Sequence, residues 1–327
     1  MTLINNKGGV GKTSLVYHLA WMLADLGHRV VAADLDPQAN LTSAFLDERE
    51  IEDLWDSDGR STVWGSIRPF HEGESALTPA RPRRTGDDRL VLVAGDLGLS
   101  AFEDDLSGAW PECLDGKARA FRVMSAFWWV LNDAATAHGA DIVLVDVGPS
   151  LGAINRAALV ASDHVIFPVA PDLFSLQGLR NLGPTLAGWR AGWQERLKRR
   201  PSRLEVLPGG AMEVLGYVVM GHAVRLDRPV KAYQRWLNEI PGEFRTSVLQ
   251  QSEDPVPPPE NDPYCLAQLK HYRSLMPLAQ EARKPMFALK PADGAFGGHY
   301  QAAQGAYADF RALTTTLLNR LALSRSS

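Results

Sequence analysis

The chain has 327 residues, of which 45% are hydrophobic and 22% are charged, and its formal net charge is −4. This composition is typical of a folded globular protein and excludes a disordered or strongly basic chain. Cys113 and Cys265 lie too far apart for a metal-binding motif or a disulfide framework, which favours a reducing cytoplasm. No apolar run approaches the roughly 20 residues of a membrane span. A glycine-rich motif that already begins at Lys7 makes a signal peptide unexpected.

The start of the chain predicts a strand, a glycine loop, a helix and a second strand. Residues 2–5 form a short apolar run, and residues 14–25 carry leucine and methionine at helical spacing. Gly27 can end that helix, and residues 29–33 form a second buried strand. Between the first strand and the helix lies Lys7-Gly8-Gly9-Val10-Gly11-Lys12-Thr13. This is the local order in which phosphate-binding loops occur.

The glycine loop has the residue types that hold a phosphate chain. Glycines let the backbone bend so that consecutive N–H groups converge on one anion, and the following helix directs its positive end to the same point. Lys12 would reach the β- and γ-phosphates, and the Thr13 hydroxyl would bind Mg²⁺. The motif departs from the usual G-x-x-x-x-G-K-[ST] pattern at its first position, where Asn6 stands and Lys7 follows.

The rest of the chain alternates apolar runs with helical patterns. Unbroken apolar runs indicate strands buried on both faces, as in a parallel sheet. Such runs occupy residues 90–94, 142–145, 164–169 and 214–220, and helical patterns occupy residues 97–106, 119–138, 155–161 and 176–193. The alternation predicts a doubly wound α/β fold with a mostly parallel sheet flanked by helices. We expect a single domain over residues 1–327.

Two segments interrupt the alternation. Residues 46–89 are rich in Gly, Pro, Asp and Arg, and residues 240–275 contain Pro255-Val256-Pro257-Pro258-Pro259, which predicts loop. We expect both segments to be surface insertions of the single domain.

Three carboxylates follow strands of the predicted sheet. Asp34 and Asp36 come directly after the second strand, and Asp146 closes the run at residues 142–145. The carboxyl ends of parallel strands face the ligand crevice, so these groups suit Mg²⁺ binding and alignment of an attacking water. For the pair Asp34 and Asp36, a helix cap with a turn is the alternative interpretation. Gly148-Pro149-Ser150 follows as a hinge-like segment where a γ-phosphate sensor would lie.

Together these motifs resemble the ParA/MinD/Soj family of P-loop ATPases with a deviant Walker A motif, and favour its ParA branch. The resemblance rests on the glycine loop and on Asp34-Leu35-Asp36-Pro37-Gln38-Ala39-Asn40, Asp146-Val147-Gly148-Pro149-Ser150-Leu151-Gly152, Pro168-Val169-Ala170-Pro171-Asp172, Leu176-Gln177-Gly178-Leu179 and Leu215-Gly216-Tyr217-Val218-Val219-Met220. The family usually has Pro-Pro-Ser where this chain has Gly148-Pro149-Ser150. The segment after Met220, Gly221 to Arg225, matches the adenine-contact region only loosely.

The resemblance implies ATP and Mg²⁺ as ligands and assigns a role to each motif residue. The nucleotide would be held by Gly8, Gly9, Val10, Gly11, Lys12, Thr13, Ser14 and Pro149. Thr13, Asp34 and Asp146 would lie at the metal, and Asp36 would orient the attacking water. Lys7 would reach across a homodimer to the nucleotide of the other subunit, where a second cation stabilises the charge of phosphoryl transfer.

The ParA branch implies a ParB-like or other stimulating partner and non-specific DNA binding on basic surfaces. Three basic clusters are candidates: Arg190, Arg196, Lys198, Arg199, Arg200 and Arg203; Arg81, Arg83 and Arg84; and Lys270, His271, Arg273, Arg283, Lys284 and Lys290. A solvated helix end is the alternative interpretation of the first cluster. A bacterial, nucleoid-associated location would follow from DNA binding.

Other branches of the superfamily fit less well. Iron–sulfur relatives need cysteine ligands that this chain lacks, and the related tyrosine kinases have a tyrosine-rich tail. A MinD-like protein would end in an amphipathic membrane helix. The apolar stripe of this tail already begins at Phe310 and Leu313, which favours a closing helix packed on the sheet and makes membrane attachment unexpected.

We therefore expect an ATPase switch that positions or partitions a plasmid, a chromosome or another large cargo. Two alternatives remain: an ATP-gated regulatory module that acts on a protein partner, and a MinD-like membrane-associated positioning ATPase. A small-molecule ligase on the same fold is a third, for which the sequence offers no substrate pocket.

Overall fold

A computed structural model describes residues 1–56, 61–74, 76–204, 206–222, 230–252, 255–272 and 274–324. The strands along these residues are β1 (Thr2–Leu3), β2 (Val30–Asp34), β3 (Arg83–Arg84), β4 (Leu90–Val93), β5 (Ile142–Asp146), β6 (His164–Val169), β7 (Glu213–His222) and β8 (Cys265–Lys270). The helices are α1 (Lys12–Asp25), α2 (Asn40–Phe45), α3 (Glu48–Asp56), α4 (Val63–His71), α5 (Phe102–Glu112), α6 (Ala118–Met124), α7 (Ala126–His138), α8 (Ala153–Val160), α9 (Leu173–Leu197), α10 (Val230–Glu243), α11 (Leu275–Ala282) and α12 (Gly298–Ser324).

The chain forms two compact units. Unit 1 comprises Met1–Leu3, Leu23–Val165 and Leu186–Glu213, and unit 2 comprises Ile4–Met22, Ile166–Thr185 and Val214–Ser327. Helices α1 and α9 and strand β6 each begin in one unit and end in the other.

Unit 1 is built on the strand order β3-β4-β2-β5-β1. The pairs β2·β4, β2·β5 and β1·β5 are parallel, and β3 runs antiparallel to β4 at one end. All five residues of β2 and all four of β4 are buried, as the unbroken apolar runs predict. Register pairs Ala33 with Val145 and Asp34 with Asp146, so both strands end on a carboxylate at the same level.

Unit 2 contains the strand order β6-β7-β8, and β7 and β8 pair in parallel. The closing helix α12 packs against β8 and buries Phe310, Leu313 and Leu317, as predicted for a tail that belongs to the core. Along the described part of the chain, no helix is both long and apolar enough to cross a membrane. These observations confirm the expected α/β fold with a mostly parallel sheet and flanking helices.

The two segments expected to be surface insertions contain regular structure. Residues 46–89 include α3, α4 and β3, and they bury Leu54, Ile67 and Phe70. Residues 240–275 include the end of α10 and the whole of β8. Both segments therefore contain packed elements, and residues 255–258 of the second segment lie outside helices and strands, as the proline-rich stretch predicts. Their assignment as insertions of one domain stays a prediction.

A buried ion pair fixes the second of these segments. Arg245 donates to both carboxylate oxygens of Asp262, at 2.9 and 2.8 Å, and the Tyr217 hydroxyl donates to the same carboxylate at 2.6 Å. A fully buried charge is tolerated only when it is paired and hydrogen-bonded, and all three partners meet that condition here. The contact ties residues on either side of the proline-rich stretch to strand β7.

Candidate functional site

The glycine loop in unit 2 has the backbone of a phosphate cradle. Gly9 and Gly11 have φ angles of 71° and 91°, a region that side chains with a Cβ rarely adopt. Gly8 and Gly9 are exposed, and α1 begins directly after the loop at Lys12. Exposed glycine N–H groups beside a helix N-terminus form a concave anion-binding surface. Lys12 is buried, while Thr13 and Ser14 are half-buried in the first turn of α1.

A cavity of about 510 Å³ opens beside the cradle within unit 2. Its lining combines the loop and the residues after β6 with apolar and aromatic side chains from other parts of unit 2. The lining comprises Lys7, Gly9, Val10, Gly11, Ser14, Ala170, Pro171, Asp172, Met220, Gly221, Tyr233, Gln234, Leu269, Lys270, His271, Tyr272, Met276, Met286 and Phe310. Its size and its combination of an anion cradle with apolar and aromatic side chains fit a molecule with a phosphate chain and a flat base.

The structure places part of the loosely matched adenine-contact region at this cavity. Gly221, the first residue of that region, lines the cavity together with the preceding Met220 and with Tyr272, which the sequence did not indicate. Residues 223–225 of the same segment lie outside the described residues.

Lys7 is held within its own chain. Its ammonium pairs with a carboxylate oxygen of Asp172, which lies just before α9, and both side chains are about one-third exposed. The other carboxylate oxygen of Asp172 accepts the backbone N–H of Ser175 at 2.9 Å. Asp172 therefore caps α9 and holds Lys7 at the same time, a role that sequence spacing could not reveal because the two residues are far apart in the chain.

Two further contacts fix the beginning of the loop. The Asn5 side-chain amide donates to the carbonyl of Pro168, and its amide oxygen accepts the N–H of Lys7 at 2.8 Å. A Cβ on Gly178 of α9 would lie only 2.7 Å from the amide oxygen of Asn6. The residue that replaces the first glycine of an ordinary P-loop is thus packed directly against α9.

His18 connects α1 to Met286 and Phe310, two residues that line the cavity. One ring nitrogen lies 2.7 Å from the carbonyl of Ser14, and the other accepts the N–H of Met286 at 3.1 Å. The ring stacks on Phe310 with centroids 5.0 Å apart. Burial lowers the pKa of His18 to about 4, so the ring is neutral at physiological pH. Its structural role agrees with the absence of any metal-ligand spacing around it.

The carboxylates Asp34 and Asp146, at the ends of β2 and β5, lie in unit 1. Asp34 is fully buried and accepts both the backbone N–H and the hydroxyl of Thr42, each at 2.8 Å. Burial raises the pKa of Asp34, and the negative charge of its register partner Asp146 raises it further. Two adjacent buried carboxylates are destabilised when both are charged, and a divalent cation would relieve that repulsion. The donor set therefore fits Mg²⁺.

These carboxylates do not form a complete metal site by themselves. Within the described residues, no group of three or more His, Cys, Asp and Glu side chains could hold a metal ion. This fits Mg²⁺, which is bound in many nucleotide sites by one or two protein ligands together with phosphates and waters.

Asp36 lies in the turn after β2 and packs against the backbone of Gly148-Pro149-Ser150, the hinge-like segment predicted to sense the γ-phosphate, which we call the switch segment. One carboxylate oxygen accepts the N–H of Gln38 at 3.0 Å. A Cβ on Gly148 would lie 3.2 Å from that oxygen, which is tighter than most real contacts. The close approach of Asp36 to residue 148 therefore depends on glycine at the position where the family usually has proline.

The switch segment itself is held by a residue that the sequence did not indicate. Asn155 in α8 donates to the carbonyls of Gly148 and Ser150, at 2.6 and 2.7 Å. Pro149 and Ser150 are exposed, so the segment presents its surface to solvent between these two anchors. Of the expected nucleotide contacts, Pro149 thus lies in unit 1, whereas the cradle residues lie in unit 2.

The basic clusters are less available for DNA than their sequence suggests. Arg190 donates to the carbonyl of Met212, and Arg196 is buried with its guanidinium 3.7 Å from the ring centre of Trp110. Lys270 pairs with Asp309 and Lys284 with Asp293, at 3.1 and 2.6 Å. Arg273 lies outside the described residues. The exposed cations at the end of α9 are Lys198, Arg199, Arg200 and Arg203, and those of the second cluster include Arg81 and Arg84.

Comparison with known families and sequences agrees with the geometry. A family model described as an AAA domain matches residues 1–198. The chromosome-partitioning ATPase Soj of Thermus thermophilus is 34% identical over 200 residues, which cover 61% of this chain and 65% of Soj. Protein IncC of Escherichia coli is 33% identical over 187 residues, which cover 57% of this chain and 45% of IncC. The chromosome partitioning protein ParA of Caulobacter vibrioides is 29% identical over 199 residues, which cover 61% of this chain and 66% of that protein. The chain thus spans between about half and two thirds of these relatives.

Solved structures share the fold over almost the whole chain. A protein from Corynebacterium diphtheriae superposes with a TM-score of 0.71 at 22% identity, covering 98% of both chains. A complex of McdA from Cyanothece with ATP gives a TM-score of 0.63 at 14% identity, covering 97% of this chain and 95% of McdA. A Borrelia burgdorferi plasmid partition protein bound to AMPPNP gives 0.57 at 17% identity, covering 98% of each chain.

Proposed function

Because the chain belongs to the ParA/MinD/Soj family of P-loop ATPases, we propose that it is an Mg-ATP-dependent switch that partitions or positions a large cargo. In this proposal the protein forms a homodimer when it holds ATP. It hydrolyses the nucleotide slowly until a partner protein stimulates it, and hydrolysis returns the dimer to monomers.

The observation that carries the proposal is the cavity beside the glycine cradle. Phosphates would lie against the N–H groups of Gly8, Gly9, Val10, Gly11, Lys12 and Thr13, with Ser14 close by and the Lys12 ammonium at the β- and γ-phosphates. The base would lie against apolar and aromatic residues of the same cavity, among them Met220, Tyr272 and Phe310. Borrelia partition protein and McdA structures with AMPPNP or ATP, which share this fold, support the choice of nucleotide.

Hydrolysis needs a metal ion, a positioned water and charge stabilisation. We assign Thr13, Asp34 and Asp146 to Mg²⁺, which in such sites neutralises charge on the β- and γ-phosphate oxygens. Asp36 would orient the attacking water. Its carboxylate is buried and held by the N–H of Gln38, so its position is fixed before nucleotide binds. Pro149, as part of the switch segment, would contact the nucleotide and sense whether the γ-phosphate is present.

Lys7 would act in the partner subunit. In the isolated chain its ammonium is paired with Asp172, so reaching a second nucleotide requires that this pair opens. An ion pair about one-third exposed to water contributes on the order of 1 kcal/mol, which binding of a triphosphate can readily outweigh. Lys7 can therefore exchange Asp172 for a phosphate of the opposite subunit when the dimer closes.

A pair of substitutions tests these assignments. We expect Asp36→Ala to retain Mg-ATP binding and nucleotide-dependent dimerisation but to lose ATP hydrolysis. Lys7→Ala should retain nucleotide binding by the monomer and lose the dimer. Calorimetry, analytical ultracentrifugation with and without AMPPNP, and phosphate release measure the three properties. Unchanged hydrolysis in Asp36→Ala would refute its role, and equal loss of monomer affinity in Lys7→Ala would refute action across the dimer.

A purely regulatory module is the second candidate, in which ATP binding gates a protein partner and turnover is incidental. The structured segments at residues 46–89 and 240–275 favour it, since such additions often carry recognition surfaces. Capture of one specific partner in the ATP state by a protein that does not bind DNA would support this alternative.

A further inference from the structure

The short helix α8 has no capping side chain of its own. Its N-cap position is Gly152, which offers no side-chain acceptor to the first turn. The first N–H groups of a helix find no acceptor within the helix and need one from outside. Ala153 and Ile154 provide two of these N–H groups, and both residues are buried. Because a buried N–H without a partner is costly, the start of α8 depends on an acceptor from another element.

Glu103, from the first turn of α5, supplies this acceptor. Its two carboxylate oxygens accept the N–H groups of Ala153 and Ile154, at 2.5 and 2.9 Å. A carboxylate at a helix N-terminus also meets the positive end of the helix dipole, which strengthens these hydrogen bonds. Gly152 leaves the space for this approach, since a Cβ there would lie 2.6 Å from a Glu103 oxygen. The cap therefore depends on an acid at position 103 together with a glycine at position 152.

The first turn of α8 is also the part of the helix that holds the switch segment. Asn155 directly follows the two capped residues and donates to the carbonyls of Gly148 and Ser150. The carboxylate of Asp36 in turn packs against Gly148. A continuous series of contacts therefore leads from Glu103 to the group proposed to orient the attacking water, and all of its members lie in unit 1.

A second contact joins α8 to α5. The guanidinium of Arg156 lies 4.6 Å from the ring centre of Trp110 and donates to the carbonyl of Leu106 at 3.3 Å. This contact does not involve Glu103. Removal of the Glu103 carboxylate should therefore loosen the start of α8 while the helix stays packed on α5.

We propose that Glu103 is a positioning residue for ATP hydrolysis, which fixes the start of α8 and through it the switch segment and Asp36. This inference rests on the proposed function, since it takes Asp36 to orient the attacking water. Without the cap, Asn155 would lie in a frayed turn, and the distance from Asp36 to the attacking water would vary. The phosphate cradle is built from other residues, so nucleotide affinity should not depend on Glu103.

Three substitutions test the effect of Glu103 on the reaction. Glu103→Ala removes both acceptor oxygens and should lower kcat about tenfold, with KM and the calorimetric affinity for Mg-AMPPNP within about twofold of the parent. Glu103→Gln keeps one acceptor oxygen and should lower kcat less. Asp104→Ala is the matched control, because Asp104 is the exposed neighbour in the same turn of α5, and it should hydrolyse ATP at the parental rate.

Hydrogen exchange of the nucleotide-free protein tests the cap without any catalysis. We expect the backbone N–H groups of Ala153 and Ile154 to exchange at least about tenfold faster in Glu103→Ala than in the parent. In Asp104→Ala they should exchange at the parental rate. Unchanged exchange in Glu103→Ala would show that the carboxylate does not hold α8 and would overturn the inference.

A double variant tests whether Glu103 acts through Asn155. In that case Glu103→Ala combined with Asn155→Ala hydrolyses ATP no more slowly than Asn155→Ala alone, because both changes interrupt the same series of contacts. Losses of kcat that multiply, or a fall in nucleotide affinity as large as the fall in kcat, would assign Glu103 to general stability and overturn the positioning role. Parental kcat in Glu103→Ala, where Asp36→Ala is inactive, overturns this inference alone. A parent protein that does not hydrolyse ATP overturns the proposed function with it.

Discussion

Single residues decide how closely the switch segment and the proposed catalytic carboxylate approach each other. Gly148 stands where the family usually has proline. In the structure it is the reason that Asp36 can pack against the backbone at residue 148. The side-chain amide of Asn155 donates to the carbonyl of the same residue. The glycine therefore permits a close contact with Asp36, and the hydrogen bond from Asn155 still holds the switch segment in place.

We predict that Gly148→Ala lowers the rate of ATP hydrolysis about tenfold while the affinity for Mg-ATP stays nearly unchanged. The added methyl group would lie 3.2 Å from a carboxylate oxygen of Asp36 and displace it by a few tenths of an ångström. Misplacing a water-orienting group costs rate and leaves ground-state binding intact. Steady-state kinetics measures the separation of kcat from KM.

Gly108→Ala is the matched control for this substitution. Gly108 lies within α5, and nothing is found within 4 Å of a Cβ added there. We expect it to hydrolyse ATP at the parental rate. Equal rates for both variants would show that the contact between Asp36 and residue 148 has no bearing on hydrolysis.

At the scale of elements, α9 acts as a support for the deviant loop. Its cap residue Asp172 pairs with Lys7, and Gly178 leaves room for the side chain of Asn6. Asn5 donates to the carbonyl of Pro168, which lies in β6 shortly before α9. An ordinary P-loop is shaped mainly by its own glycines. Here part of the constraint comes from a neighbouring helix, which is consistent with a loop that carries side chains at its first two positions.

We predict that Gly178→Ala weakens nucleotide binding by about tenfold or more. The new methyl group would stand 2.7 Å from the Asn6 side chain, so the loop has to move away from α9. The control is Gly188→Ala in the same helix, where nothing lies within 4 Å of the added Cβ and the better helix propensity of alanine is slightly stabilising. Titration with a fluorescent nucleotide compares the two, and equal affinities would show that α9 does not shape the loop.

The elements that sequence could predict are those with an unbroken local pattern. The apolar runs of β4, β5 and β6 and the glycine loop before α1 were located from sequence to within a few residues. Strand β8 was missed because its residues alternate only weakly and follow a proline-rich stretch. Its position depends on the distant pair Arg245 and Asp262, and no local pattern encodes such a pairing.

The same limit applies to the candidate site. Lys7, Lys12 and the three aspartates could be identified because each belongs to a short motif with a known physical use. Asp172, Asn155 and Thr42 could not, because each acts through a partner elsewhere in the chain. Their residue types are common at helix starts and in helices. Only the folded arrangement distinguishes them from ordinary capping or surface residues.

At the scale of the whole molecule, charge constrains how the protein could hold DNA. The net charge of −4 opposes approach to a polyanion, so any binding has to come from a local cationic surface. The structure reduces the number of cations available for contacts with DNA phosphates. Arg190 donates to a backbone carbonyl, and Arg196 lies over the ring of Trp110. Lys270 and Lys284 are paired with aspartates. Arg199 and Arg200 remain exposed next to each other at the end of α9. Doubling this small cluster in a dimer would double the number of phosphates it can contact.

We predict that the ATP-bound protein binds double-stranded DNA without sequence preference, and that Arg199→Glu with Arg200→Glu weakens this binding and its salt dependence. Removing two cations per subunit removes four from the dimer, which should reduce the slope of log affinity against log salt by about 3 to 4. Arg81→Glu with Arg84→Glu is the control at a second exposed cluster and should leave the slope nearly unchanged. Fluorescence anisotropy with AMPPNP between low and high salt measures both slopes. If the control pair instead carries the salt dependence, the DNA surface lies at β3, and if the parent protein fails to bind at low salt, the cargo is held through a protein partner.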